Sequence, residues 1–265
     1  MRRGGEELSL EGKVALITGA GTGIGKGISK VLAERGVRIG INYNSSEDGA
    51  RDTLEQVRAL GSDGILLKAN VADKAQVETM MKTLAEQFGG IDILVNNSAA
   101  QKNLGLMDYD EAGYDLVMSV NLMGYFLCSQ ASLPYLKEAK GGRIINVSSV
   151  HGKRPTDFDV VYAMTKGGIK MLTRECAIEF AKYGITVNTI EPGAVQIGTK
   201  SGKPRPIVPA DKVVDEHRRR GGRKFPLGRS GIPSDIGYLV AYLASEESEF
   251  ISGAAIRADG VSMLM

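Results

Sequence analysis

Short apolar runs alternate with longer stretches of helical periodicity along most of the 265-residue chain. Each short run is apolar at nearly every position, which is typical of parallel strands that are covered on both faces. The alternation therefore predicts an α/β fold with a doubly wound parallel sheet in a single domain. Seven strands are expected, at 13–18, 37–42, 65–69, 91–96, 142–148, 185–190 and 254–258. Helices are expected at 24–35, before 60, before 88, before 137 and at 162–183.

Two segments fall outside this alternation. Residues 1–12 predict an N-terminal extension, which leaves 13–265 as one domain. Residues from about 194 to 233 form an irregular stretch that is rich in Pro, Gly and basic side chains. A loop of that length inside a compact domain is usually functional or mobile, so this stretch is a candidate part of the functional site.

A glycine-rich sequence, Thr18-Gly-Ala-Gly-Thr-Gly-Ile-Gly25, joins the first predicted strand to the first predicted helix. Glycines at such a turn let the backbone approach a pyrophosphate, whose charge the helix N-terminus receives. The glycine spacing differs from the common Gly-x-Gly-x-x-Gly fingerprint, but the position between strand and helix is the same. The turn predicts a Rossmann-like dinucleotide site with contacts from Gly19, Gly21, Thr22, Gly23, Ile24 and Gly25.

The end of the second predicted strand bears on which dinucleotide is used. An acidic side chain there would hold the adenosine ribose and exclude a 2′-phosphate. The chain instead reads Asn42-Tyr-Asn-Ser-Ser46, whose amides and hydroxyls can donate to a phosphate, although no Lys or Arg stands there to bind one. The sequence therefore favours NADP(H) over NAD(H), or use of both. The expected contacts are Asn42, Tyr43, Asn44 and Ser45, followed by Asn70 and Val71 near the adenine.

Four polar residues are candidates for the chemistry. Tyr162 and Lys166 are four positions apart in a predicted helix, so they share one helical face. Ser149 ends an apolar strand, and ligands bind at the carboxyl ends of strands in open parallel sheets. Asn121 lies within an otherwise apolar helical stretch, where a buried amide needs a partner.

Together these motifs resemble the short-chain dehydrogenase/reductase family from residue 13 to about residue 260. The resemblance rests on residues at six places along the chain, namely the glycine turn, Asn96-Asn-Ser-Ala99, Asn121, Ser149, the Tyr162/Lys166 pair and Pro192-Gly193. It implies an NAD(P)(H)-dependent enzyme that interconverts a secondary alcohol and a ketone, or a lactol and a lactone. It also implies cofactor contacts from Asn97, Ser98, Ala99, Tyr162, Lys166, Pro192, Gly193 and Val195.

The resemblance assigns a role to each candidate residue. Tyr162 becomes the general acid/base, Ser149 binds the substrate oxygen, and Lys166 binds the ribose and activates the tyrosine. Asn121 becomes a link in a proton relay, and the thirteen-residue interval before Tyr162 favours Ser149 over Ser148. An unperturbed tyrosine has a pKa of about 10, so we expect the Lys166 ammonium and an oxidised nicotinamide to lower the pKa of Tyr162.

The chain departs from the family pattern at three places. Ala99 stands where the family usually has glycine, Ile197 stands where a threonine is common, and Val261 replaces the second glycine of a C-terminal Asp-Gly-Gly. We expect the first to shift the cofactor or substrate slightly, the second to remove a hydroxyl contact, and the third to affect subunit contacts.

Composition limits the alternatives. The net charge is +2, so no global field indicates nucleic acid or an anionic membrane. No apolar run approaches the length of a bilayer span, so we expect no membrane-spanning segment. We also expect no secretory signal and no metal site. The two cysteines are expected to be buried reduced thiols, which favours a cytoplasmic location. The family resemblance implies a homotetramer.

The substrate is the least determined property. Residues 196–229 contain ten basic and three acidic side chains, and the family resemblance makes this region a lid that could attract an anion. A solvated loop explains the same charge. His151 and the run Ser148-Ser-Val-His151 resemble the glucose and other sugar dehydrogenases of the family, so a sugar or polyol substrate is favoured, contacted by Ser149, His151 and Tyr162. The alternatives are a 3-oxoacyl thioester carried on acyl carrier protein, and a catalytically silent protein that senses NAD(P).

Overall fold

A computed structural model describes residues 10–139, 141–155, 159–197 and 226–264. Within them, seven strands form one sheet: β1 (Val14–Ile17), β2 (Arg38–Tyr43), β3 (Gly64–Lys68), β4 (Ile93–Asn96), β5 (Arg143–Val147), β6 (Thr186–Pro192) and β7 (Ala255–Ala258). The strand order is β3-β2-β1-β4-β5-β6-β7 and every pairing is parallel. The predicted seven-stranded, doubly wound sheet is confirmed.

The described helices flank the sheet: α1 (Gly23–Ala33), α2 (Glu47–Ala59), α3 (Lys74–Phe88), α4 (Glu111–Met118), α5 (Gly124–Glu138), α6 (Val160–Phe180) and α7 (Pro233–Ala244). The last of these is absent from the elements predicted above. Its sequence signal is a proline in the first turn, followed by the buried Ile236, Val240 and Leu243 on one face. That face packs against α1.

Alternate residues of the strands feed two separate apolar layers. In β1, Ala15 and Ile17 face a cluster with α1 and α7, whereas Val14 and Leu16 face a cluster with α3, α5 and α6. The pattern explains why the strands are apolar at every position, because both faces of the sheet are covered. Leu10 is also buried in the first of these clusters.

A continuous helical stretch crosses the second layer. Helix α4, a π-helical turn (Ser119–Met123) and α5 follow one another without a break. By length and composition alone this stretch, Glu111–Glu138, could span a bilayer, contrary to the expectation above. Its neighbours are α3, β4, β5 and α6, which are the contacts of a core helix in a doubly wound domain.

The sheet positions the site through its reversal of strand order. Strands β2 and β3 are added on one side of β1, and β4 to β7 are added on its other side, so the strand order reverses between β1 and β4. Ligands bind in the crevice at such a switch point. After β6, an isolated parallel β-bridge between Val195 and Gly231 joins the two ends of the predicted lid. Residues 198–225 of that lid, with nine of its ten basic side chains, lie outside the described residues.

Candidate active site

The glycine turn after β1 is shaped so that side chains would not fit. A Cβ atom on Gly25 would lie 2.4 Å from the Gly19 carbonyl oxygen, and Gly19 itself has a φ of +64°. Thr22 is the N-cap of α1 in an extended conformation, and no side chain among the described residues caps that end. The first amides of α1 are therefore available to a ligand, which fits the pyrophosphate of a dinucleotide.

Asn42 has a different role from the one expected. Its side chain is buried, and its Oδ1 accepts a hydrogen bond from the Gly19 amide at 3.2 Å. Its Nδ2 donates to the carbonyl oxygens of Leu67 and Ala69 at 3.1 and 3.0 Å. The expectation that this amide donates to a phosphate is wrong, because both of its polar atoms already hold the glycine turn to β3.

Tyr43 is also buried, which leaves Asn44 and Ser45 as exposed side chains at this end of β2. The nearest acid, Glu47 in the first turn of α2, pairs with Arg51 at 2.7 Å. Neither exposed side chain carries a charge that would repel a 2′-phosphate.

The segment after β4 is fastened to the glycine turn. The Thr18 hydroxyl accepts hydrogen bonds from the Asn97 and Ser98 amides at 2.8 and 3.0 Å. The Asn97 side chain in turn donates to the carbonyl oxygens of Thr18 and Gly19. These predicted cofactor residues therefore lie beside the turn, and Ala99 follows them as an exposed residue.

The remaining predicted cofactor residues lie at the ends of neighbouring strands. Asn70 follows β3, where its Oδ1 accepts from the Ala72 amide, and the buried Val71 packs against Gly124. Pro192 ends β6, and the Gly193 amide donates to the Ala258 carbonyl oxygen. All of them lie at the carboxyl ends of the strands.

Asn121 occupies the π-helical turn and is fully buried. Its Oδ1 accepts from the Ala100 amide at 2.7 Å, and its Nδ2 donates to the Ala100 carbonyl and to the Thr165 hydroxyl. The Thr165 hydroxyl donates to the Tyr162 carbonyl oxygen at 2.7 Å. The amide thus joins the segment after β4 to the helix that carries Tyr162, and π-turns are frequent at functional sites.

Ser149 and Tyr162 lie near each other, so that the serine hydroxyl acts to lower the pKa of the phenol. Ser149 follows β5, and its Oγ accepts from the amide of the half-buried His151 at 3.2 Å. The Ser148 hydroxyl instead donates to the Lys166 carbonyl oxygen and is buried. Ser149 is therefore the serine whose hydroxyl lies near the tyrosine.

Lys166 is 2% exposed and lies between two tyrosines. Its Nζ lies 5.4 Å from the ring centroid of Tyr162 and 5.5 Å from that of Tyr125. It donates to the Val147 carbonyl oxygen at 2.9 Å, and the Tyr125 hydroxyl donates to the same oxygen at 2.8 Å. Tyr125 is a neighbour of the lysine that the sequence motifs do not identify.

Burial governs the proton affinities of this site. It lowers the pKa of Lys166 to about 7 and raises the pKa of Tyr162, an effect that the nearby Ser149 hydroxyl opposes and the charge of Asp159 reinforces. Removal from water penalises both charged forms, so burial by itself favours a neutral Tyr162 and a neutral Lys166.

Asp159 is a second residue that sequence reasoning missed, although an acidic residue at the start of a helix is a recognisable N-cap signal. It caps α6 and accepts a hydrogen bond from the Tyr162 amide at 3.0 Å.

Among the residues that the structure describes, no group of three His, Cys, Asp or Glu side chains could hold a metal ion.

Comparison with known proteins agrees with this geometry. A family model described as enoyl-(acyl carrier protein) reductase matches residues 19–260. The chain is 37% identical to 3-oxoacyl-(acyl-carrier-protein) reductase FabG of Staphylococcus aureus, over 94% of this chain and 97% of that protein. It is 34% identical to glucose 1-dehydrogenase 2 of Bacillus subtilis, over 95% of each.

Two solved structures are similar over nearly their whole length. Acetoin dehydrogenase YohF from Salmonella typhimurium matches with a TM-score of 0.84 at 29% identity, covering 95% of this chain and 96% of that one. A short-chain type dehydrogenase/reductase from Mycobacterium marinum matches with a TM-score of 0.84 at 28% identity, covering 97% and 98%. The chain therefore belongs to the short-chain dehydrogenase/reductase family and is an NAD(P)-dependent oxidoreductase.

Proposed function

We propose that the chain interconverts a secondary alcohol and a ketone with Tyr162 as the proton-transferring group. The observation that supports this most directly is the buried Lys166, whose Nζ lies 5.4 Å from the ring centroid of Tyr162, with Ser149 near the same phenol. In the reduction, the Tyr162 hydroxyl gives its proton to the carbonyl oxygen and becomes a phenolate, and in the oxidation the phenolate takes the proton of the alcohol. Ser149 hydrogen-bonds the same oxygen and so orients it toward the phenol.

A nicotinamide cofactor, when bound, supplies or accepts the hydride. The amides of the glycine turn and of the α1 N-terminus would hold its pyrophosphate. Lys166 would bind its ribose, and Asn121 keeps the helix of Tyr162 fastened to the segment after β4. We infer a preference for NADP(H), or use of both cofactors, because the exposed end of β2 offers Asn44 and Ser45 without a carboxylate.

For the substrate we favour a sugar or polyol. His151 is half-buried two residues beyond Ser149, and its backbone amide donates to the Ser149 hydroxyl, so this residue lies beside the proposed site of the reacting oxygen. The similarity to glucose 1-dehydrogenase 2 covers the segments that carry both residues.

A 3-oxoacyl thioester is the second candidate. The similarity to the 3-oxoacyl-(acyl-carrier-protein) reductase is slightly higher, at 37% identity over 94% of the chain. A basic lid at 194–233 suits the acidic carrier of such a substrate as well as it suits a sugar acid. A catalytically silent sensor is disfavoured because the four candidate residues lie together. Ser149 and Lys166 lie near Tyr162, and Asn121 reaches the helix of Tyr162 through the Thr165 hydroxyl.

The test is a spectrophotometric panel of sugars, sugar acids, polyols and 3-oxoacyl thioesters, each with NADP(H) and with NAD(H). We expect turnover of a sugar or polyol, with kcat/KM for NADP(H) equal to or above that for NAD(H). Turnover of the thioesters alone would replace the first substrate class by the second. A strict requirement for NAD(H) would contradict the cofactor proposal.

We propose that the chain assembles as a homotetramer in the cytoplasm. Helices α5 and α6 expose large apolar side chains, among them Phe126, Met171 and Ile178, the last at 76% exposure. Large apolar side chains exposed on helix surfaces are typical of a subunit interface. Light scattering should give four times the 28.3 kDa chain mass, and a monomer would contradict the assembly. Recovery in the membrane fraction of lysed cells would contradict the location.

A further inference from the structure

Asp159 is a buried carboxylate that accepts hydrogen bonds from three different segments. Its Oδ1 accepts from the Tyr162 amide at 3.0 Å and from the Tyr109 hydroxyl at 2.6 Å. Its Oδ2 accepts from the amides of Lys102 and Asn103 at 2.8 and 2.9 Å. The carboxylate is 1% exposed, so these four donors take the place of water.

The other two aspartates that occupy N-cap positions of the described α-helices do less. Asp73 caps α3 and accepts from the amide and side chain of Gln76, and Asp110 caps α4 and accepts from the Gly113 amide. Both bind donors of their own helices, and both are more exposed than Asp159. A helix cap alone therefore does not account for the second oxygen of Asp159 or for its burial.

The charge of Asp159 is held by these contacts. Burial would raise the pKa of the carboxyl, but the hydrogen bonds from Tyr109 and from the three backbone amides outweigh burial and keep the pKa below its ordinary value. Two or three amides directed at one carboxylate stabilise its ionised form in this way. The group is thus a fixed anion at neutral pH, three residues before Tyr162.

The segment that Asp159 holds begins beside the cofactor turn and ends beside the catalytic tyrosine. Residues 100–103 follow Ala99, and the Asn121 side chain fastens Ala100 at one end. Asp159 fastens Lys102 and Asn103 at the other end. Asn103 has a φ of +58°, a conformation that costs free energy in a residue other than glycine and persists where surrounding contacts enforce it.

We propose that Asp159 is a positioning residue for the reaction at Tyr162: its carboxylate ties residues 100–103 and Tyr109 to the first turn of α6 and so holds this wall of the substrate site in place. The inference rests on the proposed function, because it assigns the wall to the site where Tyr162 acts. A displacement of about 1 Å between reacting groups can cost about 10²-fold in rate, so a fixed wall matters for catalysis.

The test compares Asp159→Ser with the matched control Asp110→Ser. Serine is as good an N-cap as aspartate, so both variants keep a capped helix. At position 159, however, serine lacks the second oxygen and the charge that bind residues 102 and 103. Tyr109→Phe serves as a third variant, because it removes one donor and leaves the carboxylate intact.

Two readouts are measured on folded protein. In hydrogen exchange, the Lys102 and Asn103 amides of Asp159→Ser should exchange roughly 10–100-fold faster than in the wild type, as expected for loss of a hydrogen bond to a charged group. In steady-state kinetics with the best substrate of the panel, kcat/KM should fall by about 10²-fold. The dissociation constant of the cofactor, measured by fluorescence, should stay unchanged. Asp110→Ser should match the wild type in amide exchange, in kcat/KM and in cofactor binding. Tyr109→Phe should give exchange rates and a kcat/KM between those of the wild type and Asp159→Ser.

Unchanged exchange at Lys102 and Asn103 would overturn the proposal, and so would faster exchange with wild-type kcat/KM. A parallel weakening of cofactor binding would assign Asp159 a general structural role and equally overturn it. If the wild type turned over nothing in the panel, the proposed function would fail, whereas the exchange measurement would still decide whether Asp159 holds the segment.

Discussion

Replacement of Tyr162 by phenylalanine should lower kcat by about 10²–10⁴-fold, the usual contribution of a positioned acid/base. The substitution removes one hydroxyl group and leaves the ring beside Lys166, so the packing of the site is kept. Because the proposed pyrophosphate contacts come from the glycine turn and not from this hydroxyl, the cofactor dissociation constant should change by less than about threefold, under 1 kcal/mol. Stopped-flow measurement of the hydride-transfer step, together with cofactor titration, checks both expectations.

Tyr114→Phe is the matched control, since Tyr114 lies on α4 with its side chain partly exposed. It should keep wild-type kcat. Wild-type turnover by Tyr162→Phe on every substrate found would remove Tyr162 from the mechanism. A loss of cofactor binding equal to the loss of kcat would instead make the tyrosine a binding residue.

The parts of this enzyme that the sequence predicted are those encoded by local pattern. Strand positions such as Val14 to Ile17 are apolar throughout because both faces of the sheet are covered, and that pattern is readable without a structure. The glycine turn is equally local, since Gly25 is required by the carbonyl oxygen of Gly19 six residues earlier. The confirmed fold follows from such short-range constraints.

The errors and omissions depend on contacts between distant segments. The side-chain direction of Asn42 is set by backbone groups of β3, about 25 residues away, so a polar residue at a strand end was read as a ligand contact. In the sequence, Tyr125 cannot be distinguished from the other apolar residues of a core helix. Its role depends on β5, which places the Val147 carbonyl oxygen beside its hydroxyl. The sequence is sufficient to recognise Asp159 as an N-cap. It does not reveal that the same carboxylate accepts a hydrogen bond from the amide of residue 103.

The proton affinity of Lys166 is another property that only the packing determines, and it leads to a second large effect. Lys166→Met should lower kcat/KM by at least about 10²-fold, yet make the cofactor-free protein more stable at pH 7. The wild-type fold buries an ammonium group between two rings, and this burial lowers the pKa of Lys166 to about 7. In the unfolded chain the same group has a pKa of about 10.4. Methionine fills a similar volume without a charge.

The sign of the pH dependence follows from these two pKa values. Between about pH 7 and 10.4 the unfolded chain binds a proton at Lys166 that the folded chain releases, so this residue makes wild-type stability rise with pH across that window. Below pH 7 both states are protonated, and the burial penalty is present in full. The gain from Lys166→Met should therefore be on the order of 4 kcal/mol at pH 6–7 and shrink toward pH 10, since each pKa difference of one corresponds to about 1.4 kcal/mol.

Urea unfolding of the two proteins at pH 6, 7, 8 and 9 measures this difference, in which groups common to both cancel. Lys82→Met is the control, because Lys82 lies exposed on α3 and its replacement should give a small difference that does not vary with pH. A Lys166→Met protein that is less stable than the wild type at pH 6 would mean that the hydrogen bond to Val147 outweighs the cost of burying the charge. Lys166 would then stabilise the folded chain by itself, and the burial of its ammonium group would not need the reaction as an explanation.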